Sequence, residues 1–208
     1  MSSGSRLFTV FGDLIILRDS PPNRAGSHSG EQEQHLIEGA VMVAFALHLL
    51  RTIPGLQHVT VRPDGEHGKR SDLKGWLLKR GFAMTTSVGK TSCGGLYAGP
   101  NRQSVLVNPK SGRMDVLAEH GNFSFDAECK GGIVNTKHPG QTSRLSRGLC
   151  EAVGRLMQAR LHEGERQFAV VPLVPVTESL ARKMRDRVQN SGIEIALMTP
   201  GGEGAYVS

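Results

Sequence analysis

Among the charged residues of DVLAEHGNFSFDAECKGG, residues 115–132, three carboxylates and a lysine have types and spacing that could do chemistry together: Asp115, Asp126, Glu128 and Lys130. Two acids with an amine beside them can hold a divalent cation against a phosphate, because magnesium takes oxygen ligands and commonly uses one or two protein carboxylates plus substrate oxygens. Whether these side chains converge depends on the turn between them.

Gly121-Asn122 is a favoured two-residue hairpin turn, with glycine at the positive-φ first position of a type II′ turn. Counting outward from it puts Ala118 opposite Phe125, Val116 opposite Ala127 and Met114 opposite Cys129 on one apolar side. The alternate residues share the other face: Glu119 with Ser124, Leu117 with Asp126, Asp115 with Glu128, and Arg113 with Lys130. Opposed side chains have Cβ atoms about 4.5–5.5 Å apart, so two ionised carboxylates there repel unless a cation lies between them. A turn at His120-Gly121 would place Asp115 opposite Asp126 and still leave all four charges on one face. The same pattern also describes an ordinary solvated sheet face with alternating charges.

RMDVLAEHGNFSFDAECKGG resembles the core motif of the PD-(D/E)XK nuclease superfamily, an Asp on one strand and Glu-x-Lys on the next, followed by a helix. On that resemblance Asp115 and Glu128 are the metal ligands and Lys130 is the motif's lysine, while Met114 replaces the eponymous proline. It covers roughly residues 110–155 by motif, and beyond that by the order of elements. It implies a restriction-endonuclease-like core, a Mg²⁺ or Mn²⁺ cofactor and hydrolysis of DNA phosphodiester bonds, in restriction, repair or phage defence. Glu38 takes the place of the acid that the family often contributes from the helix before the motif, and Gln141 that of a glutamine placed after it in some RecB-like members. Such nucleases often act as homodimers. A catalytically inactive DNA-binding or regulatory subunit of a larger assembly is the alternative.

The residues themselves add two further readings. Asp126 is an extra ligand or a hydrogen-bond acceptor behind the ligands. Lys137, His138, Arg144 and Arg147 form either a phosphate track beside the acids or a solvated basic helix face. Three other stretches invite chemistry and do not carry it. DGEHGKR at 64–70 reads as a turn, VGKTSCGG at 88–95 lacks the upstream glycine spacing of a phosphate-binding loop, and TPGGEGAY at 199–206 reads as a turn between strands.

The elements that must position the acids are legible from periodicity. A strand is expected at 7–17, a mobile loop at about 18–31, and a helix from about Glu31 to Arg51 that is apolar on nearly every side from Leu36 on. HVTVRP reads as a strand, Ser71 as the cap of the helix in DLKGWLLKRG, and 82–108 as short strands with Gly-rich turns. After the hairpin a helix is expected from Thr142 to Leu161, with Leu145, Leu149, Val153, Leu156 and Met157 buried and Arg144, Arg147, Glu151 and Arg155 opposite. FAVVPLVP, a helix capped by Thr177, and IEIALM read as strand, helix and parallel strand. The expected architecture is one α/β domain over 1–208, a central mixed sheet with helices on both faces.

Bulk composition agrees with that reading. The 208 residues are 38% hydrophobic and 21% charged, enough for one buried core. A formal charge of +6 favours a polyanionic partner. Three widely spaced cysteines fit neither a disulfide framework nor a zinc site, which favours a reducing cytoplasm. No apolar run is long enough to span a bilayer. With few aromatics to stack bases, duplex DNA is the expected partner ahead of RNA.

Overall fold

The computed structural model describes residues 14–30, 32–63, 71–199 and 204–206. Nine of its strands form one mixed sheet. In chain order they are β3 (His58–Val61), β4 (Ala83–Ser87), β5 (Gly95–Ala98), β6 (Ser104–Val107), β7 (Val116–His120), β8 (Phe123–Cys129), β10 (Glu165–Pro172), β11 (Ile193–Met198) and β12 (Gly204–Tyr206). Their spatial order is β12-β11-β10-β8-β7-β3-β6-β5-β4. β8, β10 and β11 run parallel to one another, as do β3 and β6, and the other neighbours are antiparallel. β1 (Ile15–Arg18), β2 (Glu33–Leu36) and β9 (Gly132–Ile133) make a separate three-stranded sheet.

Four helices cover the large sheet: α1 (Glu38–Thr52), α2 (Leu73–Lys79), α3 (Pro139–Gln158) and α4 (Pro175–Gln189). Alternation along the strands supplies the two cores. Val59, Val61, Val116, Ala118, Phe125, Ala127 and Cys129 pack with α1, while Ala169, Val171, Ile195 and Leu197 pack with α3 and α4. Helices therefore lie on both faces. Every residue of α1 from Gly39 to Leu50 is buried, as expected of a helix apolar all round. Among the described residues no helix is long and apolar enough to cross a membrane.

Several boundaries differ from the sequence reading. The helix expected from Glu31 starts at Glu38, because Glu33–Leu36 is drawn into β2 between β1 and β9. Asp72 rather than Ser71 caps α2, its carboxylate accepting from the Gly75 amide at 2.8 Å. α3 starts at Pro139 and ends at Gln158, and Met157 is exposed where burial was expected, Ala152 taking the inward position. α4 begins two residues before Thr177, at Pro175, whose fixed φ suits a first helical position. Thr177 instead accepts from the Val174 amide and donates to the Pro172 carbonyl. The strand expected over 7–17 is described only from residue 14, and the 64–70 stretch lies outside the described residues. VGKTSCGG links the antiparallel strands β4 and β5, with no helix after it.

Of the loop expected at about 18–31, the described residues 18–30 carry a short 3-10 turn at Pro22–Arg24. They are tied to the segment after β9 through Ser29 N to Asn135 O, Lys137 N to Ser27 O, and the Asn135 amide to Ser29 O.

Candidate active site

The β7–β8 hairpin has the register that its turn chemistry predicts. His120 pairs with Phe123, Ala118 with Phe125 and Val116 with Ala127, and Gly121 takes φ +59. The ladder then stops. The amide of Asp115 donates to the Ala127 carbonyl at 3.0 Å, the acceptor that the register assigns to Val116. Two consecutive amides aimed at one carbonyl make a β-bulge.

The bulge corrects two expectations. Met114 does not continue the apolar side of Val116 but packs with Leu149, Val153 and Ala169 beneath α3. Arg113 does not sit across from Lys130 but reaches Glu165 at 2.9 Å and Asp126 at 3.5 Å. Asp115 is thereby turned onto β8, where its Oδ2 accepts from the Cys129 amide at 2.8 Å, between Glu128 and Lys130 in the chain.

Four of the predicted side chains converge at this end of β8. Glu128 is buried, and burial followed by the charge of Asp115 pushes its carboxyl up to about 6. Lys130 lies only 12% exposed, its Nζ 3.3 Å from Glu38 at the start of α1. The chain can turn this tightly because Gly131 has no side chain: a Cβ there would fall 2.4 Å from the Leu36 carbonyl and 2.6 Å from the Glu38 amide. That contact seats the first turn of α1 against the end of β8.

Two members of the cluster were not singled out from sequence. Arg155 of α3 places Nη1 3.3 Å from Glu128, and Glu151 lies 3.4 Å from Arg155 and 4.0 Å from Lys130. Their i, i+4 spacing on the polar face of a helix that follows the motif was the available signal. It reads equally as a solvated pair until α3 is laid across β8.

The remaining candidates go elsewhere. Asp126 is buried beside Glu165 and Arg113, and burial together with the Glu165 charge pushes it up to about 6. His138 caps α3, its Nδ1 accepting from the Gly140 amide at 3.2 Å. Lys137 and Arg147 are exposed. Gln141 and Arg144 line a cleft of about 240 Å³ with Arg24, His35, Gly132 and Leu145, which also borders Gly131.

Among the described residues no three His, Cys, Asp or Glu side chains form a group set up to hold a metal ion. Asp115 and Glu128 are a two-carboxylate set, hard oxygen donors whose charges oppose each other, and that donor chemistry fits magnesium or manganese. Comparison with protein-family models, with curated proteins and with solved structures finds no match to this chain.

Proposed function

We propose that the chain is a divalent-metal-dependent nuclease hydrolysing DNA phosphodiester bonds. One observation carries the reading: Asp115 and Glu128 come together at adjacent strand ends, with Lys130 and Glu38 beside them. Burying Glu128 beside the half-buried, repelling Asp115 is costly unless the pair serves a cation.

Asp115 and Glu128 would hold Mg²⁺ or Mn²⁺, which when bound lowers the pKa of water and offsets charge on the phosphoryl oxygens. The bulge fixes Asp115 by giving its second oxygen a backbone donor. Lys130, steadied by Glu38, orients the attacking water and balances negative charge as the water oxygen bonds to phosphorus and the bond to the leaving sugar oxygen breaks. Glu38 is the acid available to a second cation. Arg155 can contact a phosphate oxygen once Glu128 turns to a metal. Lys137, just ahead of α3, and Arg144 and Arg147 on it present cations for the backbone, a sequence-independent contribution that weakens with salt.

A second reading, an inactive DNA-binding module of a larger assembly, draws on the ion pairs Arg155–Glu128 and Lys130–Glu38, which neutralise the acids without a metal. The deciding experiment compares wild type with Asp115→Ala and Lys130→Ala on plasmid and oligonucleotide DNA in Mg²⁺, Mn²⁺ or EDTA. Cutting that needs the metal and disappears in both variants is expected. Equal cutting by all three proteins, or none by wild type in either metal, overturns the nuclease reading.

A further inference from the structure

Gln141 is 8% exposed, lines the cleft beyond Gly131, and among the described residues its side-chain amide has no hydrogen-bond partner. Asn135, by contrast, gives its amide to the carbonyls of Ser29 and Gln32. The residue is largely buried, yet neither amide atom is closed off from the cleft, so the amide opens into it without a protein partner and a ligand there can exchange for water.

The chemistry of the amide narrows that ligand. It offers a donor and an acceptor side by side, and a phosphate, which has acceptors only, leaves half of it unsatisfied. The charges argue the same way. Arg24 is committed to Glu33 at 2.7 and 3.1 Å, and His35 Nε2 meets the same carboxylate at 2.9 Å. Arg144 is the cleft's one cation without an ion pair among the described residues, too little for an anion pocket. The other surfaces are flat or apolar: Leu145, Ile133, the Gly131-Gly132 backbone, the imidazole of His35 and the guanidinium of Arg144. A planar ring with a donor–acceptor edge satisfies all of these, and glutamine pairs in two-point fashion with the N6/N7 edge of adenine. Planar side chains stack on bases irrespective of sequence.

We propose that this cleft takes one unpaired nucleobase, with an adenine-type edge preferred, from the strand whose scissile phosphate meets the cation that Asp115 and Glu128 would hold, while Arg144 meets that nucleotide's phosphate. The proposal rests on the nucleic-acid reading above and sharpens it. The preferred substrate has an unpaired or extruded base near the scissile bond, because the cleft opens directly after Lys130.

The test uses the full chain in EDTA, so that binding is read without cleavage. Fluorescein-labelled duplexes carry a three-nucleotide adenine overhang, an abasic overhang of the same length, or a blunt end, and affinity is read by anisotropy. A fourth duplex carries 2-aminopurine in the overhang. Wild type is expected to bind the adenine overhang about tenfold more tightly than the abasic one and to change 2-aminopurine fluorescence. Gln141→Glu, which keeps the shape and loses the donor, removes the preference, and so does Gln141→Leu where circular dichroism shows it folded. Arg144→Ala weakens both overhang duplexes alike. Equal affinity for adenine and abasic overhangs in wild type, or an unchanged 2-aminopurine signal, overturns the proposal whatever the variants do. Metal-dependent cutting without base preference sinks this inference alone; base preference without cutting sinks the nuclease reading and leaves the cleft.

Discussion

Glu33 and Glu128 are the same residue type, 3% and 4% exposed, and their carboxyls move in opposite directions. Glu33 is held down at about 2, first by the two-point grip of Arg24 and then by His35, despite its burial. Glu128 is pushed up to about 6 by burial and by Asp115, with Lys130 and Arg155 only partly offsetting them. Arg155 is itself half exposed and makes a single contact with Glu128 at 3.3 Å. Burial alone therefore does not mark a functional acid. Glu33 is completed by its own chain; Glu128 is not, and an incompletely compensated acid beside a second acid is where a cation belongs.

The largest separation of the two is expected in catalysis. Glu128→Gln should lower the rate of Mg²⁺-dependent cutting about 10²–10³-fold, roughly 3–4 kcal/mol on the barrier. Glu33→Gln, in folded protein, should leave it within a few-fold. Initial rates on supercoiled plasmid read both, and a comparable loss in Glu33→Gln would end the contrast.

Stability should reverse the ranking. Glu33→Gln leaves Arg24 and His35 without their carboxylate and should cost about 3 kcal/mol, the low end for breaking a buried pair because Arg24 is partly open to solvent. Glu128→Gln removes a buried charge that is poorly compensated, so in EDTA near pH 7.5 it should be neutral or stabilising by up to about 2 kcal/mol. Urea denaturation measures each. A large destabilisation by Glu128→Gln would show that Arg155 and Lys130 already satisfy the acid.

The pH dependence follows from the same directions. Glu33 binds fewer protons folded than unfolded, so its contribution is present above about 4.5 and is lost as pH falls through about 2. Glu128 binds more protons folded, so its contribution is present below about 4.5 and is lost as pH rises through about 6, for a change of about 2 kcal/mol. The stability difference between wild type and Glu128→Gln in EDTA should therefore shift between pH 4.5 and 6. That between wild type and Glu33→Gln should narrow only in acid. A Glu128→Gln difference that is flat across pH 4.5–6 would remove the unmet charge from which the cation site is argued.

Much of this was legible because local rules fixed it. Gly121-Asn122 set the hairpin register, and alternation then sorted Val116 and Ala127 from Leu117 and Asp126. The run from Val41 to Leu50, apolar but for His48, announced a fully buried helix. What escaped notice depended on contacts distant in sequence. Nothing near Asp115 signals a bulge, which appears only when Arg62 bonds the Asp115 carbonyl and Cys129 bonds its carboxylate. Likewise EQHL became a strand because β1 and β9 flank it and Arg24 pairs with Glu33 from nine residues away, contacts that local helix periodicity does not register. Arg155 and Glu151 were visible as a helical pair, but their place over Glu128 and Lys130 is set by the packing of α3.

Arg155 gives the smallest and most discriminating effect. Its side chain is 53% exposed, so Arg155→Ala should cost less than about 1 kcal/mol of stability in EDTA, as exposed pairs generally do. Yet its guanidinium competes with any cation for Glu128, and removing it should lower the concentration of Mn²⁺ needed for half-saturation, measured by calorimetric titration of the DNA-free protein. The same variant should then cut more slowly at saturating metal if the freed guanidinium normally meets the phosphate. A higher half-saturation point would mean that Arg155 helps to seat the cation. Glu128 would then be an acid completed by its own chain, as Glu33 is, and the contrast between them would collapse.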